Sequence, residues 1–118
     1  MPKSFVTGQA FWGRICFPDG AMPAYDRPYL VVGVDGEYIE ILTVSSVAGK
    51  EWKLTLPTNK EIYKYDPPFQ KRTFVKLDSL QRIHTSVLVN VSISRGGRTL
   101  DETELSDIID SIIRYSPL

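Results

Sequence analysis

The run Tyr29-Leu30-Val31-Val32-Gly33-Val34 constrains this chain more than any other stretch. It is apolar except for Gly33 and too short for a membrane span, so it predicts a central strand with both faces covered. Pro28 fixes its own φ and pushes Arg27 toward an extended backbone, which presents a guanidinium where a loop meets a rigid strand. That position suits a functional cation, and it equally suits a solvated or salt-bridged arginine. Asp35-Gly36 then reads as a two-residue hairpin signal leading into a second strand over Tyr38 to Ser46. Its Ile39, Ile41, Thr43 and Ser45 share one face, while Leu42 and Val44 share the other with Tyr38, Glu40 and Ser46.

The remaining elements follow from alternation and punctuation. Residues 8–17 alternate imperfectly and predict a first strand, followed by a turn-rich loop from Pro18-Asp19-Gly20 to Asp26. Residues 52–56 alternate cleanly, so Trp52, Leu54 and Leu56 are expected to face inward on a short strand stopped by Pro57. Residues 57–72, rich in proline and lysine, predict a long and mostly exposed loop. Strand character resumes over 73–78, a turn is expected over 80–84, and a Val/Ile-rich final strand over 86–94. The last element is a helix whose Leu105, Ile108, Ile109, Ile112 and Ile113 form one apolar stripe. Asp101 with Glu104, or Thr99 with Glu102, offers a capping box at its start, and Pro117 lies beyond its end. A stripe of this kind needs a sheet to pack on, so the expected architecture is mainly β (α+β): a small antiparallel barrel or open sheet with a C-terminal amphipathic helix.

At 118 residues the chain reads as a single domain, 1–118, with core enough to fold without staples. Its one cysteine, Cys16, falls in an apolar strand pattern and predicts a buried thiol in a reducing compartment. No signal-like or membrane-spanning segment is legible, so a cytoplasmic protein is expected. One histidine, His84, and one distant cysteine do not supply a zinc site, and no phosphate loop, nucleophile elbow or dinucleotide fingerprint is present. Chemistry on this chain is therefore expected to need no cofactor and no metal. The net charge of zero hides an asymmetry. From residue 101 onward five acids face one base, and the first hundred residues carry thirteen bases against nine acids. Seven of those bases lie between Lys50 and Lys76. Such a cluster suits phosphates, and aromatic residues among the lysines suit stacking on single-stranded nucleic acid. Any single lysine is better explained as protection of a sheet edge.

Several ordered segments carry a family likeness: the Pro/Gly loop, Arg27-Pro28-Tyr29-Leu30-Val31-Val32, the hydroxyl-ended Leu42-Thr43-Val44-Ser45-Ser46, and Phe74-Val75-Lys76-Leu77-Asp78-Ser79-Leu80-Gln81-Arg82-Ile83. In this order and spacing, and with the acidic helix start and isoleucine stripe of residues 97–113, the chain resembles the MazF/PemK (Kid) toxin ribonucleases. The likeness runs from about Gly8 to Tyr115. It implies an SH3-like barrel of the CcdB/MazF kind, a homodimer, metal-independent cleavage of single-stranded RNA at short sequences, and silencing by a cognate antitoxin.

By the same resemblance, Arg27 would bind the phosphoryl oxygens. Ser45 or Ser46 would hydrogen-bond the phosphate, with the pairing open by one residue. Asp78 would bind or polarise the attacking 2′-hydroxyl. Lys76 stands where PemK-type members carry a second catalytic arginine. That departure is compatible with weaker activity, with a mechanism leaning on Arg27 and a hydroxyl, or with a shifted set using Arg72 or Arg82. Thr43, Lys53, Phe69, Lys71 and Arg72 are the expected RNA contacts. Two other classes remain open: a CcdB-like toxin that binds DNA gyrase without cutting, for which Tyr115 is the only aromatic at the chain end, and an inert binding module of the same fold.

Overall fold

The computed structural model describes residues 4–16, 20–88 and 90–115. Its centre is the expected hairpin. β2 (Arg27–Asp35) and β3 (Tyr38–Ser46) pair antiparallel, with Asp35 opposite Tyr38, so the two-residue turn is Gly36-Glu37, one residue later than the Asp35-Gly36 signal suggests. Gly36 takes φ 62°, the left-handed conformation such a turn demands and glycine supplies without cost. The register slips between Val31 and Gly33, leaving Val32 as the extra residue of a β-bulge, a device that increases local twist.

β1 (Ala10–Gly13) pairs with the other edge of β2, and β7 (Ser92–Ile93) pairs with β1. β4 (Asn59–Ile62) pairs with β5 (Thr73–Lys76), which pairs with β3. β6 (Gln81–His84) also pairs with β3, alongside its hairpin half. Among the described residues the result is a mainly antiparallel seven-stranded sheet with one C-terminal helix, α1 (Glu102–Tyr115).

Both faces of the β2–β3 hairpin are buried, each in its own cluster. Leu30, Val32, Leu42 and Val44 pack on one side with Ile108 and Ile112 of α1. Tyr29, Val31, Ile39 and Ile41 pack on the other with Phe5, Phe11 and further apolar residues. Alternation along two long strands thus feeds two layers, and the helix covers only one of them. Asp101 caps α1, its carboxylate accepting from the Glu104 N–H at 3.1 Å. The reciprocal half of a capping box is not formed in hydrogen bonds: Glu104 instead accepts from the backbone N–H groups of Tyr63 and Lys64 at 3.0 and 2.9 Å, tying the helix start to the segment after β4. The stripe is only half consumed. Ile109 and Ile113 are 37% and 75% exposed.

Several expectations are corrected. Residues 51–55 form a 3₁₀ turn rather than a strand, and Trp52 is 63% exposed instead of facing inward, while Leu56 is also exposed. The alternation there spans too few residues to tell a strand from a turn. The expected loop over 57–72 contains β4, and its Pro68 and Phe69 are buried. Residues 81–84 are a strand rather than a turn, and the expected final strand is reduced to two residues between two 3₁₀ turns. The first strand is shortened to four residues. Cys16 is exposed: from Phe11 the burial alternates as the sequence does, but Cys16 shares the outward parity of Trp12 and Arg14. Phe17 to Asp19 and Pro117 lie outside the described residues. Among the described residues no helix is long and apolar enough to cross a membrane.

Gly13 lets β7 and its approach lie close to β1, since a methyl group there would stand 2.7 Å from Val91 Cγ1. Gly13→Ala is therefore expected to lower stability by about 1–3 kcal/mol, the usual cost of overpacking against a β-branched side chain, measured by denaturant unfolding.

Candidate functional site

The site grows from the end of the hairpin that lies away from its turn. Beyond the last β2–β3 pair, Tyr29 with Thr43, alternation puts Arg27 and Ser45 on the face that bears Tyr29 and Thr43. Ser45 pairs with Phe74 on β5, so Lys76, two residues on, shares that face, opposite to the one packed by α1. Ser46 points to the other side of the pleat. Of the two serines left open by the sequence, Ser45 therefore accompanies Arg27 and Lys76.

A turn then returns a cation to this face. After β3 the chain passes Gly49, at φ 76°, and Lys50 donates from Nζ to Ser45 Oγ at 2.9 Å. The 3₁₀ turn that follows carries Lys53, and Asn59 at the start of β4 fastens it by donating from Nδ2 to the Lys53 carbonyl at 3.0 Å. Arg27, Lys50 and Lys53 all act on Lys76. Burial first, then the charges of Lys53, Arg27 and Lys50, hold its ammonium below the ordinary lysine value, and exposed Asp78 opposes the shift. Four cations thus converge with one carboxylate and one hydroxyl. Aromatic rings frame them: the Arg27 guanidinium lies 4.7 Å from the centre of Tyr25, and Lys53 Nζ lies 5.6 Å from that of Trp52.

The other expected contacts are divided. Thr43 is buried at the floor, its N–H donating to Ser79 Oγ at 2.9 Å, while Ser79 in turn donates to the Lys76 carbonyl. This pair fixes the turn that holds Lys76 and Asp78. Phe69 is 5% exposed and lies in the core rather than on an open loop; only its outer edge reaches a cavity of about 240 Å³, shared with Trp12, Pro28, Ser45, Ser46 and Lys71. Arg72 is engaged by Glu61 at 2.8 Å, which raises its pKa. Arg82 pairs with Asp35 and stacks on Tyr38 beside the hairpin turn. It sits opposite Glu40, five residues from Ser45, about 17 Å along the strand. The alternative set using Arg72 or Arg82 is therefore not assembled. Tyr115 packs against the helix-side core cluster. His84 bonds Ser86 and Glu37 and meets Tyr38 edge-on, a local tie at the same remote end.

Lys50, Trp12, Tyr25 and Trp52 were not singled out by the sequence as site residues. For Lys50 the signal was there: a lysine five residues after Ser45, with a glycine between to fold the chain back. Compared with known proteins, the chain matches no family model and no curated protein significantly.

The electrostatics give a checkable outcome. Lys76 binds its proton less tightly in the folded chain than at its reference of 10.5, so between its lowered pKa and 10.5 the unfolded state holds more protons. Stability contributed by this group therefore rises with pH across that window, and its penalty is present in full below the lowered pKa. Lys76→Met is expected to remove that slope in denaturant melts taken at stepped pH. An NMR titration of the lysine side chains is expected to show Lys76 below the others, moving back toward 10.5 in Arg27→Ala.

Proposed function

We propose that the chain is a metal-independent endoribonuclease of the MazF/PemK type, built on the SH3-like barrel of that family and cutting single-stranded RNA. The observation that carries this reading is the gathering of Arg27, Lys50, Lys53 and Lys76 around Ser45 on one sheet face, framed by exposed aromatic rings. Four cations in one place suit a phosphate that gains negative charge as it reacts. The rings suit the splayed bases of a single strand. The order of segments described above supports the choice of family.

In this reading the RNA 2′-hydroxyl attacks the adjacent phosphorus in line. The new O–P bond closes a 2′,3′-cyclic phosphate as the bond to the 5′-oxygen breaks, and that oxygen leaves as a hydroxyl after taking a proton. Arg27 offers its planar fork to the non-bridging oxygens. Ser45, held by Lys50, donates its hydroxyl to the same phosphate. Asp78 takes the proton of the 2′-hydroxyl as its oxygen bonds to phosphorus. Lys76 protonates the leaving oxygen, and here the departure from the family arginine is an advantage: an ammonium with a lowered pKa gives up a proton that a guanidinium keeps. A homodimer and a partner antitoxin belong to the same reading.

The test is incubation of the purified protein with a long single-stranded RNA in EDTA, followed by mapping of fragment ends. Discrete cuts with 2′,3′-cyclic phosphate and 5′-hydroxyl ends are expected. Intact RNA after incubation with folded, antitoxin-free protein would overturn the reading in favour of a binding-only role.

A further inference from the structure

The structure assigns a modification site to Lys76: its amine takes the acyl group of an acyl phosphate, while Arg27, Lys50 and Lys53 hold the phosphate end of the reagent. Strand register builds this arrangement. Lys76 closes β5 opposite Asn59, and Asn59 in turn fastens the Lys53 turn by its carbonyl. Ser45, paired with Phe74 two residues before Lys76, receives Lys50 Nζ at 2.9 Å. Arg27 joins the same face from the start of β2.

The cluster has few anions of its own. Among the described residues none of Lys50, Lys53 and Lys76 forms an ion pair, whereas Lys64 is paired with Asp101 and Arg72 with Glu61. Asp78, exposed at the turn after β5, is the one carboxylate that acts on Lys76. A small reagent with two negative charges therefore finds its counter-charge here. Plain phosphate would bind and leave unchanged. An acyl phosphate also carries a carbonyl carbon one bridging oxygen away from its phosphorus, and that carbon falls beside the amine that lines the cradle.

Of the three amines, Lys76 is the one suited to attack. Lys50 is occupied in donating to Ser45, and Lys53 lies over the Trp52 ring. Lys76 is only partly buried, and that burial, followed by the charges of Lys53, Arg27 and Lys50, holds its ammonium below the ordinary lysine value. More of it therefore carries a free lone pair at a given pH than an ordinary lysine would. In the step, the Lys76 nitrogen bonds to the carbonyl carbon, and the bond from that carbon to the bridging oxygen breaks with its electron pair. Phosphate leaves with the proton that the nitrogen sheds. The product is an uncharged amide. A guanidinium in this place would keep its proton, so lysine rather than arginine opens the site to acylation. The consequence for function rests on the ribonuclease reading: an acylated Lys76 has no proton to give the leaving 5′-oxygen, so cleavage stops.

The probe is acetyl phosphate, incubated with the full chain at low salt, with the acetylation rate of each lysine followed by peptide mass spectrometry. Lys76 is expected to react at least about 10-fold faster than Lys60 and Lys71, the lower end of what a like-charged cleft adds to the local concentration of a counter-ion. Excess inorganic phosphate is expected to slow Lys76 and leave Lys60 and Lys71 unaffected. With p-nitrophenyl acetate, which carries no phosphate, the preference for Lys76 is expected to shrink. Equal rates at the three lysines, or the same preference with both reagents, overturns the site. RNA cleavage by the treated protein is expected to fall in step with Lys76 occupancy, while Lys76→Arg keeps after treatment whatever rate it shows before. Cleavage that survives full acetylation of Lys76 overturns the switch. Selective acetylation in a protein that cuts no RNA upholds the modification site and removes the ribonuclease reading instead.

Discussion

Under the proposed ribonuclease activity, replacing Arg27 by alanine is expected to reduce RNA cleavage by about 100- to 1,000-fold while the protein stays folded. That range is what one preorganised charge-stabilising donor contributes in other phosphoryl- or acyl-transfer sites. The fold should hold because Arg27 begins β2 outside both core clusters, and its ring contact with Tyr25 is of the exposed kind, worth about 0.5–1 kcal/mol. Arg27→Lys keeps the charge and loses the fork, so its rate should fall between those of wild type and alanine. Initial rates on one defined RNA, with a melting curve for each variant, check all three points. Full activity in Arg27→Ala would remove this arginine from the chemistry.

Ile108→Ala is expected to be the most damaging of the helix truncations, costing about 2–5 kcal/mol, whereas Ile113→Ala should stay within about 0.5 kcal/mol of wild type. Both belong to the same sequence stripe, yet Ile108 is fully buried among Leu30, Leu42 and Val75 and Ile113 stands in solvent. For a chain of this size about 1 kcal/mol moves the melting temperature by roughly 4–8 °C, so the two variants should separate by 10 °C or more in calorimetry. Equal melting temperatures would mean that α1 does not dock as described.

The same pair marks what the sequence made legible and what it did not. Periodicity revealed the helix and its apolar side, because five residues at helical spacing leave little alternative. It did not tell Ile108 from Ile113, since the sheet covers a narrower arc than the stripe spans. The hairpin was legible for a similar reason: an apolar run, a glycine turn and a second alternating run agree with one another. Residues 52–56 failed because Trp52 finds a cation rather than a core, and alternation over five residues carries no information about which partner wins. Arg27, Lys76, Asp78 and one of Ser45 and Ser46 were candidates through the family resemblance, and only the strand register put Ser45 on the face of Arg27 and Lys76. Lys50 was not, because its role depends on a turn that returns it to Ser45, and Phe69 was misplaced because a proline-rich stretch reads as solvent-exposed whether or not it folds back onto the sheet.

β3 divides its labour along its length. Its first half is gripped by β2 and β6, and its second half passes to β5, where the turn bearing Lys50 and Lys53 and the Pro-rich stretch ending at Lys71 are attached. Substitutions in those two attachments therefore change the surroundings of Ser45 and Lys76 without touching the packing around residues 39–42. One half of a single strand thus carries the architecture, and the other half carries the candidate site.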